Sequence, residues 1–457
     1  MKGLRARMAG AVATPRLAAA VVPATDAKRA RRIELMGELS DPEALRAQGR
    51  DIRARTVQDL DRYLAQLADR LEARGTRVFW AKDAGEASAY VTRLARERGV
   101  SLAVKSKSML TEEIELNAAL QAQGVEVVET DLGEFIVQLA GERPSHIIMP
   151  AMHLRRGEIR ALFQRVAGRE LPDDPEALAA FARAHLRERF LTAGMGISGV
   201  NFAVAETGTL VMVTNEGNGR MVTSLPPLHV AVMGMERVVP TLADLDVLLR
   251  LLVPSASGQR ITTYVSLMNG PRQPGEADGP REQHLVIVDG RRSALLGTRY
   301  QEALHCIRCG ACMNVCPVYR RTGGHAYGGV YAGPIGAVLS PLFQPERFSD
   351  LAQASSLCGA CSEACPVMIP LDELLVHLRE DQPRKPVTER LGLRVLLHLA
   401  RHPHRWARAL ALARRLVPRL RPGRGPGRVE PLAGWLLARD LPPATGPTFR
   451  ERWEHRA

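Results

Sequence analysis

All seven cysteines of this 457-residue chain lie in one stretch, between residues 306 and 365. The first run reads Cys306-Ile-Arg-Cys309-Gly-Ala-Cys312-Met-Asn-Val-Cys316-Pro317. Its spacing, C-x2-C-x2-C-x3-C-P, is the one with which bacterial ferredoxins hold cubane iron–sulfur clusters. The second run, Cys358-Gly-Ala-Cys361-Ser-Glu-Ala-Cys365-Pro366, repeats this pattern without its first cysteine. The two runs therefore predict iron–sulfur chemistry.

In this pattern three closely spaced cysteines hold one cluster, and the cysteine before proline reaches the other cluster. We therefore expect four thiolates on cluster one, those of Cys306, Cys309, Cys312 and Cys365. Cluster two is expected to have three, those of Cys316, Cys358 and Cys361. Three residues before Cys358, where a fourth ligand belongs, the chain has Ser355. Cluster two is then either a three-iron cluster or a four-iron cluster whose open iron takes Ser355, Ser356, water or a partner's group.

Zinc and disulfide bonds are the alternatives for cysteines at such spacing. Zinc sites usually contain two C-x2-C pairs, not a run of four cysteines that ends in Cys-Pro. Disulfides are disfavoured because Cys306, Cys309 and Cys312 are too close in sequence to pair well with each other, and no cysteine lies outside the two runs. Thiolates that bind iron also indicate a reducing compartment, so we expect a cytoplasmic protein.

The net charge of +13 is concentrated near the C-terminus. Eleven arginines and no acidic residue lie between residues 390 and 429. Within this Arg-rich C-terminal region, residues 383–457, we expect an amphipathic helix pair at 391–420, broken at Pro403 and Pro418. Its arginines contact anionic lipid at the inner membrane face, contact an acidic partner protein, or are solvated. Nucleic acid is not an expected partner, because aromatic residues are not interleaved with the arginines.

The N-terminal segment has little of the pattern of a folded element. Residues 1–32 are rich in arginine and alanine, as in an organelle transit peptide or in the poorly ordered start of a bacterial cytosolic protein. We favour the second interpretation and expect residues 1–39 to be a flexible N-terminus. No run of about twenty apolar residues occurs in the chain, so the sequence predicts no membrane span.

Residues 40–292 alternate between short apolar segments and amphipathic ones. After a helical start at 40–74, the expected strands are Arg77–Ala81, Ser101–Lys105, Val125–Glu129 and His146–Pro150, with helices at Ala84–Arg98, Met109–Gln123 and Asp131–Ala140. After a helical interlude at 155–197, further strands are expected at Phe202–Ala205, Thr209–Thr214, Leu228–Met233, Ile261–Leu267 and His284–Val288. This alternation is typical of parallel βαβ units. We therefore predict an α/β domain with an open, mostly parallel sheet and flanking helices.

Two loops of this domain are suited to an anionic ligand. The first, Asn215-Glu216-Gly217-Asn218-Gly219-Arg220, follows a strand end, where open α/β sheets bind ligands, and could hold a cofactor's phosphate or carboxylate. A turn chosen only for its backbone conformation is an equal alternative. The second, Lys105–Ser108, opens a helix, and solvated lysines are the favoured interpretation. Glu206 lies in an expected hairpin turn, where a role in the turn is favoured over a catalytic one.

The cysteine runs belong to an expected α-helical dicluster domain at residues 293–382. Ser293–His305 should lead as a helix into the first run, and Leu371–Arg379 should follow the second run as another helix. The two runs are separated by 41 residues, far more than in a compact ferredoxin, so we expect long loops around the clusters.

With these residues in view, the chain resembles the iron–sulfur B components of the three-part bacterial systems that oxidise L-lactate. The resemblance covers nearly the whole chain after residue 40. It rests on the two cysteine runs, on Ser355-Ser-Leu before the second, on the loop Asn215–Arg220, on Lys105-Ser-Lys-Ser-Met109 and on Phe449-Arg450. It implies a LUD-type α/β domain, similar to the sugar-phosphate isomerase and CoA-transferase fold, followed by a dicluster ferredoxin domain.

The resemblance also implies a function. A complex would oxidise L-lactate to pyruvate, and this chain would carry electrons through two [4Fe-4S]-type clusters, with the other subunits as its partners. No G-x-G-x-x-G fingerprint follows an expected strand, so any flavin or haem should come from a partner. The alternative is an isomerase or acyl-transferase with structural clusters and Glu206 or Glu216 as its catalytic carboxylate. The sequence leaves open whether the chain is itself an enzyme.

Overall fold

The computed structural model describes residues 3–381, 387–416 and 449–454. The chain divides into two units, Met1–Asp381 and Gln382–Ala457, and the α/β part and both cysteine runs lie together in the first. Among the described residues, no helix combines the length and the apolar character that crossing a membrane requires.

A sheet of six parallel strands organises the α/β part. In chain order, the strands of the described residues are β1 (Arg77–Ala81), β2 (Leu102–Lys105), β3 (Glu126–Glu129), β4 (Met195–Gly199), β5 (Phe202–Val204), β6 (Thr209–Thr214), β7 (Leu228–Gly234), β8 (Val238–Val239), β9 (Tyr264–Met268) and β10 (Glu282–Val288). The large sheet has the order β1-β10-β7-β4-β2-β3, and each neighbouring pair in it is parallel. The predicted open, mostly parallel α/β sheet is confirmed.

Helices cover both faces of this sheet, because its strands are apolar on both sides. In chain order, the helices from residue 3 to the end of the α/β part are α1 (Leu4–Val12), α2 (Pro15–Gly37), α3 (Pro42–Gln58), α4 (Leu60–Glu72), α5 (Ala84–Glu97), α6 (Met109–Glu113), α7 (Leu116–Gln121), α8 (Leu132–Ala140), α9 (Arg156–Ala167), α10 (Pro175–Thr192), α11 (Asn218–Ser224) and α12 (Leu242–Ser257). Val230 and Val286 share a core with Val91 of α5. Neighbouring residues on a strand face opposite sides of the sheet. Leu285, which is next to Val286, therefore packs with Leu67 of α4 on the other side.

A second, four-stranded sheet has the order β8-β5-β6-β9. Its β5–β6 hairpin turns at Gly208, whose φ of +64° is accessible to glycine at little cost. Strand β6 leads into helix α11, which packs directly on β4. A Cβ on Gly196 of β4 would lie 1.9 Å from the carbonyl oxygen of Val222, so this approach requires glycine. The loop before α11 is thereby held beside the carboxyl end of the large sheet.

The region with the cysteines is built from short helices joined by loops. In chain order its α-helices are α13 (Ala311–Val315), α14 (Pro317–Thr322), α15 (Gly333–Phe343), α16 (Pro345–Phe348), α17 (Ala360–Glu363) and α18 (Leu371–Glu380). In the second unit the described helices are α19 (Val387–Ala400), α20 (Pro403–Leu416) and α21 (Phe449–Glu454). Strands are absent from these described stretches, so the predicted helical character of the cluster region is confirmed.

The N-terminal segment is helical where the sequence analysis expects a flexible one. Helices α1 and α2 pack against the cluster region, and Leu4 and Val21 are buried with its core. The backbone amide of Leu4 donates to Asp350, and Arg7 Nε donates to the carbonyl oxygen of Ala326 at 3.0 Å. The arginines and alanines that suggested a flexible start therefore lie on helices whose apolar residues cover the cluster region.

Further local predictions were wrong. The end of the helical interlude predicted at 155–197 is a strand, because Met195–Gly199 forms β4 of the large sheet. Residues 146–150 form bends rather than a strand, because Ser145 closes a loop by bonding through N and Oγ to the carbonyl oxygen of Pro150. The ring of His146 fills this loop and accepts the amides of Ile148 and Met149. The helix expected at 293–305 consists of two separate 3₁₀ turns, Ser293–Leu295 and Gln301–His305.

We expect the protonation of His229 to oppose folding in mild acid. Its ring is buried and contacts Ser198 Oγ at 2.8 Å and Gln283 Nε2 at 3.1 Å. Burial lowers the pKa of His229 from 6.5 to about 4. As the pH falls from about 6.5 to about 4, the unfolded chain binds a proton that the folded chain excludes, so the free energy of unfolding decreases. The expected loss is about 2 kcal/mol at about pH 5.

His229→Gln keeps hydrogen-bonding capacity at this position and removes the titration. Urea unfolding of the anaerobic protein at about pH 7 and about pH 5 should show a smaller acid-induced loss for this variant than for the wild type, by about 2 kcal/mol. His404→Gln, at an exposed position in the second unit, should behave as the wild type. An unchanged acid-induced loss in His229→Gln would contradict the prediction.

Candidate iron–sulfur centre and the adjoining cavity

The two cysteine runs have the same backbone turn. In the first, Arg308 has a φ of +60° and Gly310 a φ of +75°. In the second, Leu357 has a φ of +54° and Gly359 a φ of +78°. Left-handed backbone is unfavourable for arginine and leucine, so its recurrence at matching positions indicates a constraint shared by both runs. Each turn sets the spacing of the thiols around a common centre.

The two runs bring their thiols close to each other. Cys309 lies near Cys365 of the second run and near Cys306, and Cys312 lies near Cys306, Cys309 and Cys361. The thiol of Cys316, from the first run, interacts with Cys358 and with Cys361 of the second. The structure thus brings Cys365 to the first run and Cys316 to the second, which is the crossover that the ferredoxin spacing predicts.

Thiol separation suits a cluster better than one metal ion. Within the described residues, no three cysteines have their sulfur atoms within 4.8 Å of one another. The three side chains that do meet this condition for a metal site are Glu142, His153 and His325. A single zinc ion with sulfur ligands at about 2.3 Å would draw its thiolates closer together than that. The cysteine geometry therefore leaves room for a multinuclear centre.

The protonation of the thiols also fits a metal centre. Burial raises the pKa of the Cys309 thiol to about 12 and that of the Cys365 thiol to about 11. Without a metal these groups would be neutral thiols in an apolar surrounding, whereas iron binds them as thiolates and supplies the compensating charge. Metal binding and the loss of thiol protons are therefore coupled at this centre.

A buried hydroxyl next to the second group agrees with a cluster there. Tyr327 is buried, and its hydroxyl lies against the Cys316 thiol at the limit of hydrogen-bonding geometry. A neutral thiol is a weak acceptor. A cluster held by Cys316 would supply stronger sulfur acceptors for this buried donor.

Ser355 occupies the place in the second run that Cys306 has in the first. The amide of Arg308 donates to Cys306 Sγ at 3.4 Å, and the amide of Leu357 donates to Ser355 Oγ at 3.1 Å. In both runs the acceptor lies two residues before the donor. The side-chain oxygen of Ser355 is therefore held in the same local turn as the Cys306 thiol.

A cavity of about 290 Å³ lies at the carboxyl ends of the central strands, where open α/β sheets bind ligands. Its walls come from the ends of β2, β4 and β7, from the loop before α11, and from Arg308 and Tyr331 of the cluster region. Since Arg308 lies between Cys306 and Cys309 in sequence, the cavity adjoins the first group of thiols.

The predicted ligand loop is only partly at this cavity. Asn215, Glu216 and Asn218 line it, whereas Gly217, Gly219 and Arg220 do not. The guanidinium of Arg220 is exposed and lies over the ring of Tyr264, 5.9 Å from its centroid. Burial raises the pKa of Glu216, whose carboxylate accepts the amide of Leu132 at 3.2 Å. Arg220 thus lies outside the cavity that Asn215, Glu216 and Asn218 line, and its role in ligand binding stays a prediction.

Lys105 has an internal role in the fold. It is buried, and its Nζ lies 2.7 Å from carboxylate oxygens of both Glu112 and Glu129. Lys107 and Ser108 of the same segment line the cavity. Glu206 accepts the backbone amide of Leu242 at the start of α12, at 3.3 Å, which agrees with the favoured structural role.

Comparisons with known proteins agree with these two parts. The LUD domain family model matches residues 64–288, and the 4Fe-4S dicluster domain model matches residues 302–369. Lactate utilization protein B of Oceanobacillus iheyensis is 48% identical over 435 residues, 93% of this chain and 90% of that protein. The chain belongs to the lactate utilization protein B family. The Bacillus subtilis member is 46% identical over 444 residues, 94% of this chain and 92% of its own length.

A solved structure also matches the chain. The crystal structure of a DUF162 family protein from Deinococcus radiodurans has 15% sequence identity and a TM-score of 0.28, and it covers 50% of this chain and 98% of its own. The fold described above does not depend on this match.

In this family member, a buried charge network joins the sheet to the first cysteine run. Glu236, just after β7, accepts Arg292 Nε at 2.8 Å and Arg308 Nη2 at 3.3 Å. Arg292 donates its other nitrogens to Glu113 at 2.8 and 3.0 Å. Although burial opposes ionisation, Arg292, Arg237 and Arg308 lower the pKa of Glu236 to about 2. Glu236 is therefore ionised at neutral pH and holds Arg308 against the sheet.

The sequence analysis does not identify this network. Its signal was present, because Met-Glu236-Arg237 and Asp-Gly-Arg-Arg292 each follow a buried strand. Charged residues at the carboxyl ends of parallel strands are candidates for a shared site. Which charges meet depends on the strand order, and a single sequence does not contain that information.

We expect Glu236→Gln to destabilise the protein by about 3–5 kcal/mol, because the variant leaves buried arginines without their counter-charge. Urea unfolding at neutral pH would measure the change. Glu188→Gln, on the exposed side of α10, is the matched control and should change stability by less than about 0.5 kcal/mol. A loss equal to that of the control would show that Glu236 does not hold the network together.

Proposed function

We propose that this chain is the electron-carrying subunit of a complex that oxidises L-lactate to pyruvate. The observation that supports it most directly is the crossover of Cys316 and Cys365 between two thiol groups in one compact unit. Oxidation of the alcohol to the ketone releases two electrons and two protons. Iron–sulfur clusters accept electrons singly, so two clusters linked by crossing ligands suit a two-electron donor.

The burial of the two groups supports a direction for the electrons. Cys309, Cys312 and Cys365 are buried, and their group adjoins the cavity. Cys358 is exposed, as is Leu357 beside it, so cluster two lies nearer the surface. In this proposal electrons enter at cluster one and leave through cluster two to an acceptor on another protein.

Both clusters are proposed to be [4Fe-4S] clusters, with Ser355 Oγ at the fourth corner of cluster two. The matched turns at Cys306 and Ser355 support this assignment, because both hold a side-chain ligand atom two residues before the donating amide. The carbonyl oxygen of Ser355 accepts Arg379 Nη2 at 2.8 Å, which fixes the backbone at this position.

The other subunits of a lactate-oxidising system are the proposed partners. Helices α19 and α20 of the C-terminal unit expose large apolar side chains, including Leu391, Leu396, Trp406 and Leu412, among their arginines. Such a surface could contact an acidic partner protein, and we favour this over the lipid surface that the sequence analysis left open. Residues 417–448, which include the predicted break at Pro418, lie outside the described residues.

The proposal predicts that L-lactate reduces the clusters only when the other subunits are present. Anaerobically purified chain should show no reduced-cluster EPR signal with L-lactate alone. Adding the remaining subunits should produce that signal together with pyruvate, and D-lactate serves as the stereochemical control. Clusters that dithionite reduces but that stay oxidised in the complete, pyruvate-forming system would contradict electron transfer through this chain. That result would favour structural clusters and the isomerase or acyl-transferase alternative.

The assignment of Ser355 predicts three distinguishable proteins. The wild type should bind about eight irons, four in each cubane. Ser355→Ala should lose the iron at the open corner and show the EPR signal of an oxidised three-iron cluster, while Ser355→Cys should keep eight and change only the spectrum of cluster two. Ser356→Ala is the neighbouring control and should match the wild type. Seven irons in the wild type, unchanged in Ser355→Ala, would exclude Ser355 as a ligand.

A further inference from the structure

A buried arginine at the cavity next to cluster one retains unused hydrogen-bond donors. Arg237 is 8% exposed and lines the cavity, yet its guanidinium makes no hydrogen bond to any described residue. Its nearest charged partner is Glu236, at 3.7 Å. Arg308 also lines the cavity, but its unpaired Nη1 is enclosed by protein and is not open to the cavity. Buried guanidinium groups normally satisfy most of their donors, so Arg237 requires an explanation.

Arginines outnumber carboxylates around these donors. Arg53, Arg237, Arg292 and Arg308 lie around two carboxylates, Glu113 and Glu236. Arg292 is fully engaged, because it donates to both glutamates. The unused donors that line the cavity belong to Arg237. A carboxylate is an acceptor with which a guanidinium pairs through two hydrogen bonds.

From these contacts we infer that Arg237 binds the carboxylate of a small 2-hydroxy or 2-oxo acid in the cavity beside cluster one. This inference rests on the proposed function, since it gives the electron donor a site on this chain. Arginine forks recognise carboxylates through paired hydrogen bonds, and the low dielectric of a buried cavity strengthens them. The volume of about 290 Å³ admits such an acid with its hydration water.

The rest of the cavity is consistent with an acid that has a short apolar chain. Val200 and Met212 give it apolar walls, while Asn201 and Asn215 bring side-chain amides that can bond a hydroxyl or keto oxygen. Arg308 places this site next to the Cys306 thiol, which is the least buried of the four thiols assigned to cluster one. Because Arg237 lies near Arg308 and Cys306, a ligand that it holds would change the electrostatic surroundings of cluster one.

The test uses the full-length chain, purified anaerobically with both clusters and without other subunits. L-lactate, pyruvate and the non-reducing analogue oxalate are titrated by calorimetry, with inorganic phosphate and acetate as comparators. We expect saturable binding of the 2-hydroxy and 2-oxo acids and a change in the EPR spectrum of reduced cluster one when oxalate binds. Binding of phosphate alone, or of no acid at all, would overturn the inference.

Variants distinguish a ligand site from a role in the charge of the cluster. Arg237→Gln should weaken oxalate binding at least tenfold and abolish the oxalate-induced EPR change, while Arg237→Lys should recover part of both. Arg250→Gln, at an exposed position on α12, is the matched control and should bind as the wild type. If Arg237→Gln shifts the potential of cluster one but binds oxalate normally, the arginine serves only the cluster, and the inference fails.

The inference and the proposed function fail separately. Normal reduction of the clusters in the complete lactate-oxidising system, with no acid bound by this chain, would remove the site and leave the electron-carrying role. Oxalate binding that depends on Arg237, with clusters that never accept electrons from that system, would support the site and contradict the electron-carrying role. Iron content measured on every variant shows that the clusters are present in each comparison.

Discussion

The structure depends on keeping one buried carboxylate ionised. Glu236 lies at the carboxyl end of a central strand with almost no exposed surface, and it is stable there only because three arginines surround it. Two of those arginines come from other segments, one from after the last strand and one from the first cysteine run. The charge of Glu236 therefore fixes the position of the cluster loop relative to the sheet.

A further buried arginine, Arg53, connects the surroundings of Glu236 to the helices. Arg53 of α3 donates to the backbone carbonyl oxygens of Val238 at 2.9 Å and Leu304 at 3.2 Å, and also to that of Glu236. One guanidinium thus joins α3, the strand after Glu236 and the segment that enters the first cysteine run. Together with α1 and α2, which cover the cluster region, these bonds explain why the α/β part and the cluster region belong to one compact unit.

Prediction from sequence succeeded where a feature depends on residues that are close in the chain, and it failed for features that depend on distant residues or on local side-chain bonds. The spacing of the cysteines and the alternation of apolar segments are local, and they predicted the dicluster region and the parallel sheet. The strand expected at 146–150 failed because Ser145 and His146 satisfy the backbone there with side-chain bonds. The assignment of Arg220 to a ligand followed from its place after a strand, whereas Tyr264, which it covers, is distant in sequence. Glu236 and its arginines are brought together by the order of the strands in the sheet, which local sequence patterns do not determine.

The two halves of the cluster region share a turn but differ in their surroundings. Around the first run, Arg308 and Arg237 bring positive charge into a buried site, and positive charge stabilises the reduced, more negative form of a cluster. The second run has an exposed Cys358, and it has the side-chain oxygen of Ser355 at the position that the Cys306 thiol has in the first. Solvent exposure and the identity of the ligands both alter the potential of a cluster. In the proposed two-cluster arrangement, one repeated backbone motif would therefore provide two centres whose potentials depend on different residues.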